Sequence, residues 1–87
     1  MGAYRHYDKT MRMIQKINAV GLSKLRNYVK EKHPKENFDR NIAIVRDSFK
    51  SGTEYCCKKH GTYVNSACRI ILRYYRYAVE IERNEQT

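Results

Sequence analysis

The stretch at residues 64–81, VNSACRIILRYYRYAVEI, carries the most regular apolar pattern in the chain. Its apolar side chains recur at steps of three and four residues, at Val64, Ala67, Ile71, Tyr74, Ala78 and Ile81. Because an α-helix has about 3.6 residues per turn, this spacing places all of them on one face. The pattern predicts a long last helix over about residues 54–84, followed by a polar tail at about 84–87. Gly61 is either tolerated inside this helix or ends a shorter helix before it.

Three shorter helices are predicted before this one, over about residues 3–18, 22–32 and 36–50. Gly21 separates the first helix from the second. Pro34 ends the second helix because proline disfavours helical structure at the residue before it. The third has an apolar stripe with steps of four, three and four residues, at Phe38, Ile42, Val45 and Phe49. The sequence therefore predicts one all-α domain over residues 1–87, a small three- or four-helix bundle.

The chain has a formal net charge of +9, and this charge is unevenly distributed. Residues 1–35 contain nine Lys or Arg against two acids, whereas residues 36–87 contain nine against seven. A face that only keeps a protein soluble usually mixes both signs, and the N-terminal half hardly does. The distribution therefore indicates an anionic partner. Three classes of partner fit: an acidic protein, a nucleic acid and an anionic lipid surface.

The first predicted helix has a cationic face and an apolar face. Four basic residues, one per turn, share the cationic face: Arg5, Lys9, Arg12 and Lys16. The apolar face has the helical spacing of a core stripe, at Tyr4, Tyr7, Met11 and Ile14. We therefore expect this helix to fold through one face and to bind an anionic partner through the other.

The last predicted helix carries a second cationic stripe, formed by Arg69, Arg73 and Arg76. Aromatic rings interleaved with arginine can stack on nucleic-acid bases, and Tyr75 and Tyr77 lie off the main apolar seam. In an antiparallel bundle this stripe would lie beside the first one and form a two-helix basic surface. A small basic nucleic-acid-binding protein, such as a ribosomal subunit, is therefore the alternative to a protein-binding function.

Neither a metal site nor a catalytic site is predicted. Cys56 and Cys57 lie about one turn from His60, but zinc needs three or four ligands and no second pair exists. With Cys68 the cysteines are odd in number and lack a framework spacing, which favours free thiols in a reducing compartment. The chain has no convergent acid, base and nucleophile, so we expect a non-enzymatic protein.

The N-terminal Met1-Gly2 allows a third interpretation. N-myristoylation acts on Gly2 and prefers Ser or Thr at position 6, where this chain has His6. A myristoyl group together with a polybasic patch would form a two-signal membrane anchor, as in small helical retroviral matrix domains. A matrix-like peripheral membrane domain is therefore the second alternative.

Two short segments resemble the signatures of the LYR-motif family. Ala3-Tyr4-Arg5 resembles the Leu-Tyr-Arg signature early in the first helix, with alanine in place of leucine. Residues 45–50, VRDSFK, resemble the second landmark, in which an Arg precedes a Phe and a basic residue follows. The last helix, with its Cys, His and Arg-rich run, is similar to the Fmc1-like branch of that superfamily. The segment between the two landmarks is longer here than is usual in the family.

This resemblance implies a small adapter on the matrix side of mitochondria that binds an acidic acyl carrier protein. Such an adapter serves a larger complex as a subunit or assembly factor. No cofactor is bound directly, since the phosphopantetheine-linked acyl chain of the carrier protein inserts into the bundle and completes its core. The resemblance assigns Tyr4 and Arg5 to the carrier-protein contact, and it assigns Arg46, Phe49 and Lys50 to the phosphopantetheine entrance.

Overall fold

Five α-helices form the structure, a computed structural model that describes residues 2–86. The side chains of residues 2–8 and of Thr53 lie outside this description. In chain order the helices are α1 (Gly2–Val20), α2 (Leu22–Lys32), α3 (Phe38–Ser51), α4 (Thr53–His60) and α5 (Val64–Gln86). None of them combines the length and apolarity that a membrane-spanning segment requires. Residues 2–86 contain no strand, so the predicted all-α fold is confirmed, with five helices rather than three or four.

The predicted last helix is divided into α4 and α5. Gly61 follows α4 with φ 64° and ψ 38°, in the left-handed region, and its N–H donates to the carbonyl oxygen of Cys57. A left-handed residue turns the chain out of the helical path, so Gly61 ends a short helix. Of the two alternatives left open for Gly61, the structure therefore has the second, and the segment predicted as helical over residues 54–84 forms two helices. The helix α5 also extends to Gln86, past the predicted start of the polar tail.

The helix α5 is central because it contacts each of the other four helices. Lys16, near the end of α1, pairs with Glu82, near the end of α5, so these two helices run in the same direction. The helix α2 begins at that same end and runs back along α5, so that the rings of Tyr28 and Tyr77 approach to 5.3 Å between centroids. The arrangement is therefore α1 parallel to α5, with α2 antiparallel to both.

The core receives side chains from all five helices. Its fully buried members include Ile14, Ile17, Leu25, Val29, Ile44, Val45, Cys56, Ile71 and Tyr74. Burial of such side chains is the main stabilising contribution, about 1.5–3 kcal/mol for each large aliphatic residue. The predicted seam of α5 faces this core from Ala67 to Ile81.

Two residues of the predicted core stripes are partly exposed instead. Phe49 is 38% exposed and Val64 is 44% exposed. Phe49 lies in the last turn of α3, and Val64 is the first residue of α5. Each has the helical phase of its stripe but lies at an end of its helix.

Candidate partner-binding surfaces

The cationic face of α1 is open at its centre and paired near its end. Lys9 and Arg12 are exposed and have no ion-pair partner among the side chains that the structure describes. Lys16 Nζ lies 2.7 Å from a carboxylate oxygen of Glu82, and this hydrogen bond raises the pKa of Lys16. The acylation signal considered at residues 1–6 lies outside the described side chains. Two predicted contact residues lie outside them as well: Tyr4 and Arg5.

The second predicted contact set lies in the last two turns of α3. Arg46 and Lys50 are exposed, and neither forms an ion pair within the described part of the chain. Arg46 lines a groove of about 200 Å³ between α1, α2 and α3. The other lining residues are mostly apolar: Ile17, Asn18, Leu22, Leu25 and Ile42. Such a groove, here called the Arg46 groove, suits a ligand that combines an apolar chain with an anionic group.

The third predicted contact set lies on the outer face of α5. Arg69 and Arg76 are exposed and have no ion-pair partner among the side chains described. Arg73 lies between them, and its Nε is 2.9 Å from Oε1 of Glu36 in the α2–α3 connection. Arg73 therefore contributes to the fold, whereas Arg69 and Arg76 are available to a partner.

The two cationic stripes do not form one surface. The helix α1 contacts α5 at Glu82, whereas Arg73 lies nine residues earlier on α5. Nine residues make about two and a half helical turns, so these two positions face opposite flanks of α5. The two helices are also parallel, whereas the joint surface was considered for an antiparallel bundle. Among the described side chains the two stripes therefore lie on separate surfaces and do not form the two-helix basic surface that an antiparallel bundle would give.

Glu36 joins the α2–α3 connection to α5 and to α3. Its Oε1 accepts hydrogen bonds from Asn41 Nδ2 at 3.2 Å and from Arg73 at 2.9 Å. Its Oε2 accepts a hydrogen bond from the Tyr77 hydroxyl at 3.0 Å. The carboxylate is only 12% exposed, so its partners replace most of its hydration.

Tyr77 belongs to this polar cluster, although its position off the seam predicted a freer side chain. It is buried, and its ring stacks on His33 with centroids 4.7 Å apart. Burial raises the pKa of Tyr77, and the hydrogen bond to Glu36 raises it further. Burial also raises the pKa of the neighbouring Tyr74, to about 12. Both phenols are therefore neutral structural groups at physiological pH.

The short helix α4 is fastened to α3 by polar contacts. His60 Nε2 lies 2.7 Å from Oδ2 of Asp47, and Lys59 Nζ lies 3.2 Å from the same oxygen. The hydrogen bond with His60, and then that with Lys59, lowers the pKa of Asp47. The Cys56 thiol donates to the carbonyl oxygen of Ile44 at 3.2 Å. These contacts give His60 and Cys56 structural partners on α3.

The three cysteines occur as free thiols on two helices. Cys56 and Cys57 are buried in α4, and burial raises the pKa of Cys57, whereas Cys68 on α5 is exposed. Within the described residues, no three His, Cys, Asp or Glu side chains gather into a group that could hold a metal ion.

The sequence identified exposed cations but not the residues that organise them. Glu36 and Tyr77 are 41 residues apart, and no local pattern announces their contact. Lys32 and Lys35, on either side of His33-Pro34, were a signal in the sequence that the α2–α3 connection is cationic.

In comparisons with known proteins, no family model, no curated protein and no solved structure matches this chain.

Proposed function

We propose that this protein is a non-enzymatic LYR-like adapter that docks an acidic acyl carrier protein. In this proposal it is a subunit or assembly factor of a mitochondrial complex. The observation that supports the proposal is the Arg46 groove. The resemblance assigns Arg46 to the phosphopantetheine entrance, and Arg46 lines an apolar groove in the fold.

The groove has the chemistry that an acyl-phosphopantetheine group requires. Leu22 is 39% exposed although it lines the groove, so an inserted chain would remove apolar surface from water. Each buried methylene contributes about 0.8 kcal/mol. Arg46 supplies a cation beside this apolar surface, and Lys50 lies one helical turn further on. Both suit the phosphodiester of the phosphopantetheine group.

The cationic face of α1 supplies the second part of the proposed docking surface. Arg12 precedes Ile17, which lines the Arg46 groove, by five residues, which is about 8 Å along the helix axis and about 140° around it. A partner that contacts both the groove and the cationic face would therefore extend around the side of α1, over an interface of typical size, about 800 Å² on each partner. An acidic partner would be attracted over about one Debye length, roughly 10 Å at 0.1 M salt, and more weakly at higher salt.

Calorimetric titration with three forms of a carrier protein tests the proposal. The forms are the apo protein, the protein with free phosphopantetheine, and the protein with an acylated phosphopantetheine. We expect affinity to rise in that order, with a gain of about fourfold for each methylene that the groove buries. Equal affinity for all three forms would show that the groove does not receive the chain.

A pair of variants with equal changes in charge tests the docking residues. The variant R46E/K50E should lose most of its affinity for the acylated carrier protein, because both cations would be reversed. The variant R69E/R76E reverses two exposed cations on the flank of α5 that faces away from α1, so it should bind the carrier protein normally. A third variant, R5E/K9E, should abolish capture with unchanged helicity. Unchanged capture by either R46E/K50E or R5E/K9E would remove the adapter proposal.

A further inference from the structure

A second cationic surface lies between α5 and the α2–α3 connection. An open groove of about 630 Å³ is lined on one side by Lys32, His33 and Lys35, and on the other by Arg73 and Tyr77. Arg69 and Arg76 precede and follow Arg73 by about one turn, so they extend the same face of α5. We call this surface the α5 groove. It is separate from the Arg46 groove, and the inference from it does not depend on the proposed adapter function.

The α5 groove carries a net positive charge. Among the described side chains, the cations Lys32, Lys35, Arg69 and Arg76 have no ion-pair partner. The carboxylate that lines the groove, Glu36, already accepts hydrogen bonds from three side chains. Two further acids flank the surface on the same two helices: Glu31 and Glu80. The four open cations therefore exceed the acids around them, and they favour an extended polyanion.

Few large apolar side chains are exposed along this surface, which distinguishes it from the centre of a protein-docking site. Protein interfaces depend on a few buried aromatic or aliphatic anchors at their centre. On α5 itself the exposed large apolar residues are Leu72, beside the stripe, and Val64, at the first position of the helix; Tyr63, just before α5, is exposed as well. Nucleic-acid binding needs no such anchor because release of counterions from phosphates supplies most of the affinity.

His33 adds a feature that suits an unpaired strand. Its ring is exposed and stacks on the buried ring of Tyr77, with an angle of 21° between the ring planes. Single-stranded nucleic acids bind to aromatic rings through base stacking, which duplexes do not offer because their bases are already stacked. A base could extend the stack of His33 on Tyr77.

We infer that the α5 groove binds single-stranded nucleic acid. Lys32, Lys35, Arg69 and Arg76 contact its phosphates, and one base stacks on His33. Four phosphate contacts imply a salt slope, the change in log affinity per log salt concentration, of about −3 for a single strand. This recognition reads the backbone and one stacked base, so it has little sequence preference.

Fluorescence anisotropy with a labelled oligonucleotide of about ten residues tests this inference. The probe is a mixed-sequence RNA, compared with the same strand in a duplex, at several salt concentrations. We expect micromolar affinity for the single strand at low salt, weaker binding to the duplex and the stated slope. R69E/R76E should weaken RNA binding about tenfold or more and make the salt slope shallower by about 1.4. R46E/K50E should change both the affinity for RNA and the salt slope little.

Two substitutions at His33 separate stacking from charge. H33A should weaken binding of the single strand at least about fivefold, whereas H33F retains a ring and should restore most of the affinity. Equal losses in H33A and H33F would overturn the stacking contact. Circular dichroism of each variant should match that of the native chain, since the substituted side chains are exposed.

Three outcomes would overturn the inference as a whole. One is the absence of binding to either probe at low salt. Another is an equal loss of binding in R69E/R76E and R46E/K50E, which would show that net charge alone is responsible. The third is that R69E/R76E loses the carrier protein but retains RNA, which would identify this face as a protein-docking surface. Failure of the adapter proposal would appear separately, as normal capture of the carrier protein by R46E/K50E.

Discussion

Replacement of Glu36 by alanine removes a carboxylate that three side chains share. The Tyr77 hydroxyl and the Asn41 amide would each lose a hydrogen-bond acceptor, and both residues are less than a tenth exposed. Leaving a buried donor without a partner costs about 1–3 kcal/mol. Arg73 is 47% exposed, so water can replace its ion pair at little cost. We therefore expect E36A to lower the free energy of unfolding by about 3 kcal/mol.

This loss is a large part of the stability of a small domain. At about 0.05–0.15 kcal/mol per residue, the whole chain has roughly 4–13 kcal/mol of unfolding free energy. A loss of about 3 kcal/mol corresponds to a decrease in Tm of roughly 12–24 °C for a domain of this size. The variant E36Q keeps the shape of the side chain and one acceptor, so it should lose less than E36A.

Urea denaturation followed by far-ultraviolet circular dichroism measures the effect, and E85A is the matched control. Glu85 pairs with Lys24 at 2.6 Å, but both side chains are about half exposed. Such pairs contribute about 0–1 kcal/mol, so E85A should remain close to the native chain. If E36A and E85A lose the same free energy within about 0.5 kcal/mol, the buried hydrogen bonds of Glu36 do not stabilise the fold as argued.

Three further predictions concern pH and backbone conformation. Burial raises the pKa of Tyr74 from 10.0 to about 12, so the unfolded chain deprotonates first. The free energy of unfolding should therefore fall between about pH 10 and 12, and urea titrations should show a shallower fall in Y74F. The pKa of Asp47 is lowered in the fold, so its contribution is complete above the ordinary carboxyl value of 3.8 and is lost at lower pH. The stability difference between the native chain and D47N should accordingly shrink below about pH 3.8, as thermal unfolding at stepped pH would reveal. A Cβ added at Gly52 or Gly61 would meet no atom within 4 Å. Alanine at either position would therefore destabilise the fold only through its strained backbone conformation. Gly52, at φ 87° and ψ 155°, occupies a backbone region that is essentially restricted to glycine. In thermal melts, G52A should therefore lose about 1–3 kcal/mol of unfolding free energy, and G61A should lose less. An equal or smaller loss in G52A than in G61A would contradict this.

The helices were largely predictable because their boundaries depend on local chemistry. Gly21 separates α1 from α2, and Pro34 follows the end of α2. The apolar period of α5 identified its core face from Ala67 to Ile81. The role of Gly61 remained open because a glycine inside a helical pattern is compatible with either continuation or a left-handed end.

Tertiary contacts account for what the sequence did not predict. Helical phase assigns Phe49 to the core side of α3, but it does not tell how far the neighbouring helices extend. Similarly, the spacing of the cations predicted their faces but not that Lys16 and Arg73 have carboxylate partners on other elements. The acceptor of the Tyr77 hydroxyl could not be identified because its partner lies 41 residues away.

Native mass spectrometry of the protein purified gently from its own cells tests the adapter claim most directly. The account predicts co-purification of a small acidic protein whose mass includes an acylated phosphopantetheine group. The same preparation of R46E/K50E should lack this partner. A native chain that is recovered without any phosphopantetheine-bearing protein would contradict the claim, and the similarity of Ala3-Tyr4-Arg5 to the LYR signature would then be a coincidence.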